Sequence, residues 1–358
     1  MSAETGPAAN RVQLAAAHWK PRFVANGVDM SDFERVLATT TEWPGWAPAW
    51  KVVGDAHRAL GDEAAAQGRV RTATEAYQRA AWSYHLGKFL WFEDPALYWE
   101  MNALTSATYA KALPHLDPPG ERVELPFEGT TLPGILRRPR EVARPPLVIL
   151  APGLDSVKEE LFTLEEEFLK RGLATLSVDG PGQGESAERF AIRPDWSGVI
   201  RPIIDALQRR TDIDAGRIGL MGISMGGGIY GPFAAAKEKR IRALVALAGP
   251  YDLSECWPAL NPLTQGGFRF FSKSRDLAEA FERSKALSLH GVLASVDQPL
   301  LVIHGAKDRL FPPEQAERIA SEAPNATLLL YPEGNHVCNN ITYKYRPAMA
   351  DWMREQLT

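Results

Sequence analysis

The chain has 358 residues, of which 40 are Lys or Arg and 44 are Asp or Glu, so its formal net charge is −4. Hydrophobic residues make up 45% of the chain and charged residues 23%, a balance typical of a globular protein and too apolar for intrinsic disorder. The mild negative charge and the isoelectric point near 6.0 argue against a nucleic-acid-binding protein, which usually carries a clustered basic surface.

The cysteine content and the N-terminal sequence predict a cytoplasmic protein. Only Cys256 and Cys338 occur, which are too few for a disulfide framework. The first ten residues, MSAETGPAAN, carry neither the positive nor the apolar stretch of a signal peptide. No apolar run is long enough to span a bilayer, so we expect no membrane association.

Residues 1–117 are predicted to form an all-helical N-terminal domain. They are rich in Ala, Trp and Tyr and poor in β-branched runs, and their apolar residues recur at steps of three and four. This spacing predicts helices over 33–37, 50–60, 68–92 and 96–113. At helical spacing, aromatic residues such as Trp82, Tyr84 and Trp91 are expected to form core, although they could also line an apolar pocket.

Residues 118–358 are predicted to form an α/β domain. After a Pro- and Gly-rich loop, segments 121–126 and 131–137 flank a Glu-Gly turn and indicate a hairpin. Short apolar runs then alternate with helical patterns, which predicts a mostly parallel sheet with helices on both faces. These runs are 147–150, 174–178, 218–221, 243–247, 300–303 and 327–331. The helical patterns are 158–171, 197–210, 226–237 and 313–323. The long segment 250–297 is interpreted as an insertion or a small cap.

The strongest motif is Gly222-Ile223-Ser224-Met225-Gly226, which follows the apolar run 218–221 and precedes a helical pattern. This context is that of a nucleophile elbow, a strained strand-to-helix turn that exposes a serine hydroxyl above the sheet. Glycines flank the serine because larger side chains would collide with neighbouring elements. Ser224 is therefore predicted to be a catalytic nucleophile.

A serine hydroxyl needs a base, and chain order predicts which residues supply it. In the elbow context the order is serine, then acid, then histidine. Asp308 follows the run 300–303, and His336 is the only histidine beyond it. His290 and His304 precede Asp308 and are excluded by this order. We therefore predict a Ser224–Asp308–His336 triad.

Main-chain amides of Met225 and Leu154 are predicted to form the oxyanion hole. The amide of Met225 lies at a helix N-terminus, and the second donor should come from the loop after the first core strand, where Gly153 allows close approach. The glycine-rich segment 179–186 lacks the Lys and the spacing of a phosphate-binding loop and is interpreted as structural. No Cys/His spacing indicates a metal site, and we expect no bound metal.

Several motifs together resemble a known family. Besides the elbow, they are AYQRAA at 76–81, LPGIL at 132–136, DGPGQGE at 179–185 and RPAMADW at 346–352. In these segments, and over most of its length, the chain resembles α/β-hydrolases related to 2,6-dihydroxypseudooxynicotine hydrolase and the similar fungal polyketide-shortening hydrolases. The resemblance implies an α/β-hydrolase fold, a homodimer and no cofactor. It also implies that the helical domain 1–117 serves in dimerisation and closes over the active site as a lid.

The same resemblance implies hydrolysis of a carbon–carbon bond next to a ketone carbonyl in a small aromatic or polyketide-like substrate. The triad alone would serve equally in a carboxylesterase or amidase acting on a bulky aromatic substrate, or in acyl transfer or cyclisation with water excluded. A non-enzymatic binding protein would be favoured by loss of a triad residue, and none is lost. Asn335 stands where close relatives should carry an acid, and after Gly249 the chain offers Asp252 and Glu255 as candidate substrate contacts.

Overall fold

A computed structural model describes residues 11–358, apart from the side chain of Leu14. The chain forms two compact units and passes from the first to the second between Leu116 and Asp117. Among the described residues, no helix is both long enough and apolar enough to cross a membrane.

The first unit is helical throughout its described part, as its apolar spacing predicts. Asp29 and Asp94 accept hydrogen bonds from main-chain amides at the starts of the second and fifth helices, and Pro95 follows the second of these caps. The helices are α1 (Arg11–Ala25), α2 (Met30–Thr39), α3 (Trp46–Ala66), α4 (Val70–Lys88) and α5 (Pro95–Ala112).

Aromatic side chains fill the core of this unit. Trp46 and Trp50 of α3 are 2% and 0% exposed and pack edge-on at 5.9 Å between ring centroids. Tyr84 of α4 is fully buried, and its hydroxyl donates to Asp55 of α3 at 2.7 Å. Most of the aromatic residues highlighted by the sequence therefore stabilise the helix packing, because their rings are removed from water.

The second unit is built on an eight-stranded sheet with strand order β1-β2-β4-β3-β5-β6-β7-β8. The first two strands form the predicted antiparallel hairpin, β2 also pairs antiparallel with β4, and the remaining neighbours are parallel. The strands are β1 (Gly120–Phe127), β2 (Thr130–Arg137), β3 (Pro146–Ala151), β4 (Ala174–Val178), β5 (Asp214–Ile223), β6 (Ile241–Leu247), β7 (Leu300–Gly305) and β8 (Ala326–Tyr331).

Helices cover the sheet and complete its core. Every residue of β3, β4 and β7 is buried, which is expected when helices pack on both faces of a parallel sheet. Met353 and Leu357 of the C-terminal helix join Val148 and Met221 in a buried apolar cluster. The helices are α6 (Phe162–Leu169), α7 (Ser197–Leu207), α8 (Gly231–Lys237), α9 (Leu253–Cys256), α10 (Pro262–Phe271), α11 (Leu277–Ser284), α12 (Pro313–Glu322) and α13 (Thr342–Leu357).

Two predicted helices begin differently from their patterns. The pattern over 158–171 begins with a 3₁₀ turn, Lys158–Leu161, before α6. The pattern over 226–237 begins with a π-helical turn, Gly226–Tyr230, before α8. Segment 250–297 holds α9, α10 and α11, and the main-chain amide of Ile192 donates to Phe271, so the segment packs against the sheet domain.

Candidate active site

Ser224 lies in a strained turn directly after β5. Its φ of 54° places a non-glycine residue in the left-handed region. A Cβ at Gly222 would lie 2.0 Å from the carbonyl oxygen of Gly226, and a Cβ at Gly226 would lie 2.3 Å from that of Ala151. Only glycine therefore fits at either position, and the elbow geometry follows from this local crowding.

His336 lies between Ser224 and Asp308. Its Nε2 is 3.1 Å from the Ser224 hydroxyl oxygen, and its Nδ1 is 2.7 Å from Asp308 Oδ2. An ionised carboxylate only accepts hydrogen bonds, so Nδ1 carries the proton and Nε2 is free to accept from the serine. The three residues come from the carboxyl ends of β5, β7 and β8, where ligands bind in open α/β sheets.

Asp308 is buried, and its carboxylate is fully hydrogen-bonded. Oδ1 accepts from the amides of Leu310 and Phe311 at 2.8 and 3.1 Å, and Oδ2 accepts from His336. Burial opposes ionisation, but His336 and these donors outweigh it and hold the pKa of Asp308 below its ordinary value. The residue is therefore an anion at neutral pH.

His304 is a neighbour of the site that chain order did not reveal. It is fully buried on β7, with Nε2 3.0 Å from the Phe311 carbonyl oxygen and 3.6 Å from Asp308 Oδ2. Burial lowers the pKa of His304, which favours the neutral ring at neutral pH. As a neutral ring it donates from Nε2 to Phe311 and helps to fix the turn that carries Asp308.

A pair of asparagines brackets the loop of His336. The amide of Asn335 donates to the side chain of Asn340 at 2.9 Å, and the amide of Asn340 donates to the side chain of Asn335 at 3.3 Å. Val337 and Cys338, which follow the histidine, have φ values of 60° and 51°. A β-branched residue in this region is strained, so the reciprocal asparagine contacts help to hold an unfavourable loop in place.

The predicted oxyanion donors lie on the two loops next to Ser224. Met225 directly follows the nucleophile and precedes the π-helical turn Gly226–Tyr230. A Cβ at Gly153 would lie 3.1 Å from the Cβ of Ser224, so the loop that carries Leu154 passes beside the serine. Both loops are buried, and the role of the two amides stays a prediction.

The glycine-rich segment 179–186 contacts Lys158, which follows the loop after β3, through polar groups. Asp179 accepts from the amide of Lys158 at 2.8 Å and from its ammonium at 2.9 Å, and Glu185 also contacts that ammonium. Burial alone would lower the pKa of Lys158, but these carboxylates and Glu159 outweigh it and raise the pKa. The position of this glycine-rich motif directly after β4 is the sequence signal for these contacts. The residue types of the motif do not indicate which loop it contacts.

The candidate substrate contacts Asp252 and Glu255 both have partners within the protein. Asp252 accepts from the amides of Ser254 and Glu255 and caps α9, while Glu255 pairs with Arg318 at 2.6 Å. Their role in substrate binding stays a prediction. With His290 they bring possible ligand atoms within 4.8 Å of one another, but Glu255 and His290 are exposed and such groups are common without an ion.

Comparisons with known proteins define the class of this chain. Residues 35–254 match the family described as esterase FrsA-like, and residues 161–358 match the prolyl oligopeptidase family. The chain is 32% identical to 2,6-dihydropseudooxynicotine hydrolase from Paenarthrobacter nicotinovorans over 340 residues, which cover 94% of this chain and 91% of that protein. The chain therefore belongs to the α/β-hydrolase family, and the predicted resemblance, fold class and enzyme class are confirmed.

Two further similarities differ in the share of each chain that they cover. The crystal structure of the 2,6-dihydroxy-pseudo-oxynicotine hydrolase superposes with a TM-score of 0.87 at 31% identity and covers 95% of this chain and 96% of that one. Hydrolyase poxO from Penicillium oxalicum is 33% identical over 231 residues, which are 60% of this chain and 54% of that protein. The first similarity spans nearly the whole of both chains, whereas the second spans about half of the fungal protein.

Proposed function

We propose that this enzyme is a serine hydrolase in which Ser224 is the nucleophile, His336 the general base and Asp308 the residue that orients the base. The observation that carries this proposal is the hydrogen-bonded chain from Ser224 Oγ through His336 to Asp308, with distances of 3.1 and 2.7 Å. A buried acid, a histidine and a serine in this order are the arrangement that activates a hydroxyl at neutral pH.

The reaction begins when His336 Nε2 takes the proton of Ser224 Oγ and the oxygen attacks a carbonyl carbon. The resulting oxyanion accepts hydrogen bonds from the amides of Met225 and Leu154. Collapse of the tetrahedral intermediate breaks the bond to the leaving group and leaves an acyl-enzyme, while His336 gives its proton to the leaving atom. Water, activated by the same histidine, then hydrolyses the acyl-enzyme and restores Ser224.

The proposed substrate is a small aromatic or polyketide-like ketone, and the bond broken is a carbon–carbon bond next to its carbonyl. Similarity to 2,6-dihydropseudooxynicotine hydrolase over 94% of this chain supports this choice. The leaving group is then a carbanion, and the electron pair of the broken bond must be delocalised into a second carbonyl or a hydroxyaromatic ring. His336 protonates that carbon, so no other reactant than water is required.

A carboxylesterase acting on a bulky aromatic ester is the second candidate. The match of residues 35–254 to a family described as an esterase favours it. The leaving group of an ester is an alkoxide or a phenoxide, which needs no carbanion sink, so the same triad serves both reactions. The two candidates therefore differ in the leaving group that the substrate supplies.

The test compares the wild type, Ser224→Ala and a matched control, Ser321→Ala, whose serine is exposed on α12. One substrate panel holds p-nitrophenyl esters of increasing acyl length. The other holds β-diketones and acyl-hydroxyaromatic ketones, with products identified by mass spectrometry. Added alcohol or amine acceptors report acyl transfer as a new ester or amide product.

We expect cleavage of the ketones that is lost in Ser224→Ala and unchanged in Ser321→Ala. Fast ester hydrolysis with inert ketones would favour the esterase. Activity that survives in Ser224→Ala would refute the proposed nucleophile. The homodimer and the action of residues 1–117 as a lid and dimerisation domain remain predictions, and light scattering of the purified protein tests the first of them.

A further inference from the structure

Gln183 is a buried side chain in the loop after β4 that bridges to the loop after β3. It is 1% exposed. Its Nε2 donates to the carbonyl oxygens of Pro152 and Gly153, at 2.7 Å each, and its Oε1 accepts from the amide of Gly180 at 3.0 Å. Both amide hydrogens and the amide oxygen are thus used inside the protein, as expected for a buried carboxamide.

The two carbonyls that Gln183 holds belong to the loop that passes Ser224. A Cβ at Gly153 would lie 3.6 Å from the Ser224 hydroxyl oxygen. The carbonyl of Gly153 and the amide of Leu154 share one planar peptide group, in which the C=O and N–H bonds point in opposite directions. A hydrogen bond that fixes the carbonyl therefore also fixes the direction of the Leu154 N–H.

The loop that carries Gln183 is itself firmly held. The main-chain amide of Gln183 donates to Gly180, and its carbonyl accepts from the amide of Ser186. Asp179 at the start of this loop binds both the amide and the ammonium of Lys158, four residues after Leu154. The loop after β3 is thus attached to a rigid neighbour at both ends, at Gln183 and at Asp179.

We propose that Gln183 is a positioning residue for the oxyanion hole. It holds the Gly153–Leu154 peptide so that the Leu154 amide donates to the oxyanion that forms when Ser224 attacks a carbonyl. Gln183 does not itself touch the reacting atoms. This role rests on the proposed function, because it requires Ser224 to be the nucleophile. This role gives the glycine-rich segment 179–186 a catalytic consequence, whereas the sequence alone predicts only a structural loop there.

Gln183→Met tests this role, because methionine has a similar length and no hydrogen-bond donor. Gln298→Met is the matched control, because Gln298 is also buried and donates to a main-chain carbonyl, that of Ala235. Gln298 precedes the amino end of β7, whereas Ser224 follows the carboxyl end of β5. The measurements are kcat and KM on an active p-nitrophenyl ester or ketone and the inhibition constant of phenylboronic acid, which forms a tetrahedral adduct with an activated serine. The rate of Ser224 labelling by a fluorophosphonate and the melting temperature complete the set.

We expect Gln183→Met to lower kcat on the order of 100-fold, the scale for a displaced catalytic group or a lost oxyanion donor. KM should stay within about twofold, since the oxyanion exists only after attack. Affinity for phenylboronic acid and the labelling rate should fall with kcat, because both adducts place an oxygen in the oxyanion hole. Gln298→Met removes the hydrogen bond to Ala235 and should leave all the kinetic constants near those of the wild type.

A Gln183→Met protein that loses thermal stability but keeps kcat and phenylboronic acid affinity near the wild-type values would overturn the role of Gln183. If this variant does not fold, Gln183→Asn retains a buried carboxamide with a shorter reach. We then expect the same loss of kcat without a matching change in KM, and a wild-type kcat would overturn the role. Failure of the fluorophosphonate to label Ser224 in the wild type would instead refute the proposed function, and this inference with it.

Discussion

Replacing Asp308 by asparagine should abolish most of the activity while leaving the fold intact. In the wild type, one oxygen of the Asp308 carboxylate accepts from His336 Nδ1 at 2.7 Å, and the other oxygen accepts from the amides of Leu310 and Phe311. The asparagine can keep the two main-chain contacts with its oxygen, which then places its NH₂ group against His336. The histidine must accept at Nδ1 and carry its proton on Nε2, so it can no longer accept the proton of Ser224.

The size of this effect follows from the loss of the correct tautomer. Such a loss lowers kcat by about 10⁴-fold in serine proteases, which corresponds to about 5 kcal/mol of transition-state stabilisation. Because the asparagine fits the same volume and retains the turn, we expect the melting temperature to change by no more than a few degrees.

The assay measures kcat with the active ketone or ester, the rate of fluorophosphonate labelling and the melting temperature. Asp214→Asn is the control. Asp214 lies at the amino end of β5, whereas Ser224 follows the carboxyl end of the same strand, and Asp214 pairs with Arg217. We expect the control to keep kcat within about twofold, as surface ion pairs contribute little. If Asp308→Asn kept more than about a tenth of the wild-type kcat, the assigned hydrogen-bond roles would be wrong.

Further predictions concern stability and accessibility. Gly222→Ala should prevent folding or destabilise by more than about 3 kcal/mol in urea denaturation, because its Cβ would meet a main-chain oxygen at 2.0 Å, whereas Gly198→Ala, with open space on α7, should be neutral or stabilising. Burial opposes ionisation of Glu185, but a buried lysine and a neighbouring arginine lower its pKa to about 2. This lowered pKa stabilises the fold above about pH 4.5, by at most about 3 kcal/mol, and the stabilisation is lost as pH falls towards 2. The melting temperatures of the wild type and Glu185→Gln should therefore converge in acid, and a constant difference would contradict the assigned charge. Burial raises the pKa of Cys256 and Cys338 to about 12, so iodoacetamide at pH 8 should modify them only after denaturation, as mass spectrometry would show.

The order and type of the strands in the sheet domain are predictable from the sequence, whereas helices α9, α10, α11 and α13 are not among the predicted elements. The apolar run over 174–178 coincides with β4. The run over 147–150 lies within β3, which is one residue longer at each end, and the run over 243–247 lies within β6, which begins two residues earlier. Strands buried on both faces are mostly apolar, so their boundaries are visible in composition. The strained turn at Ser224 is equally predictable from the sequence, because steric crowding allows only glycine at positions 222 and 226.

The distances between polar groups, and most of their partners, depend on the tertiary structure. Ser224 and His336 are 112 positions apart, and their 3.1 Å separation depends on the order of strands in the sheet, which local pattern does not encode. For the same reason the role of Gln183 is not visible in the sequence: its partners lie 30 and 31 residues earlier, on a strand-end loop that becomes its neighbour only because β3 and β4 pair. Local sequence sets backbone conformation and burial, whereas the partners of a buried side chain are set by long-range packing.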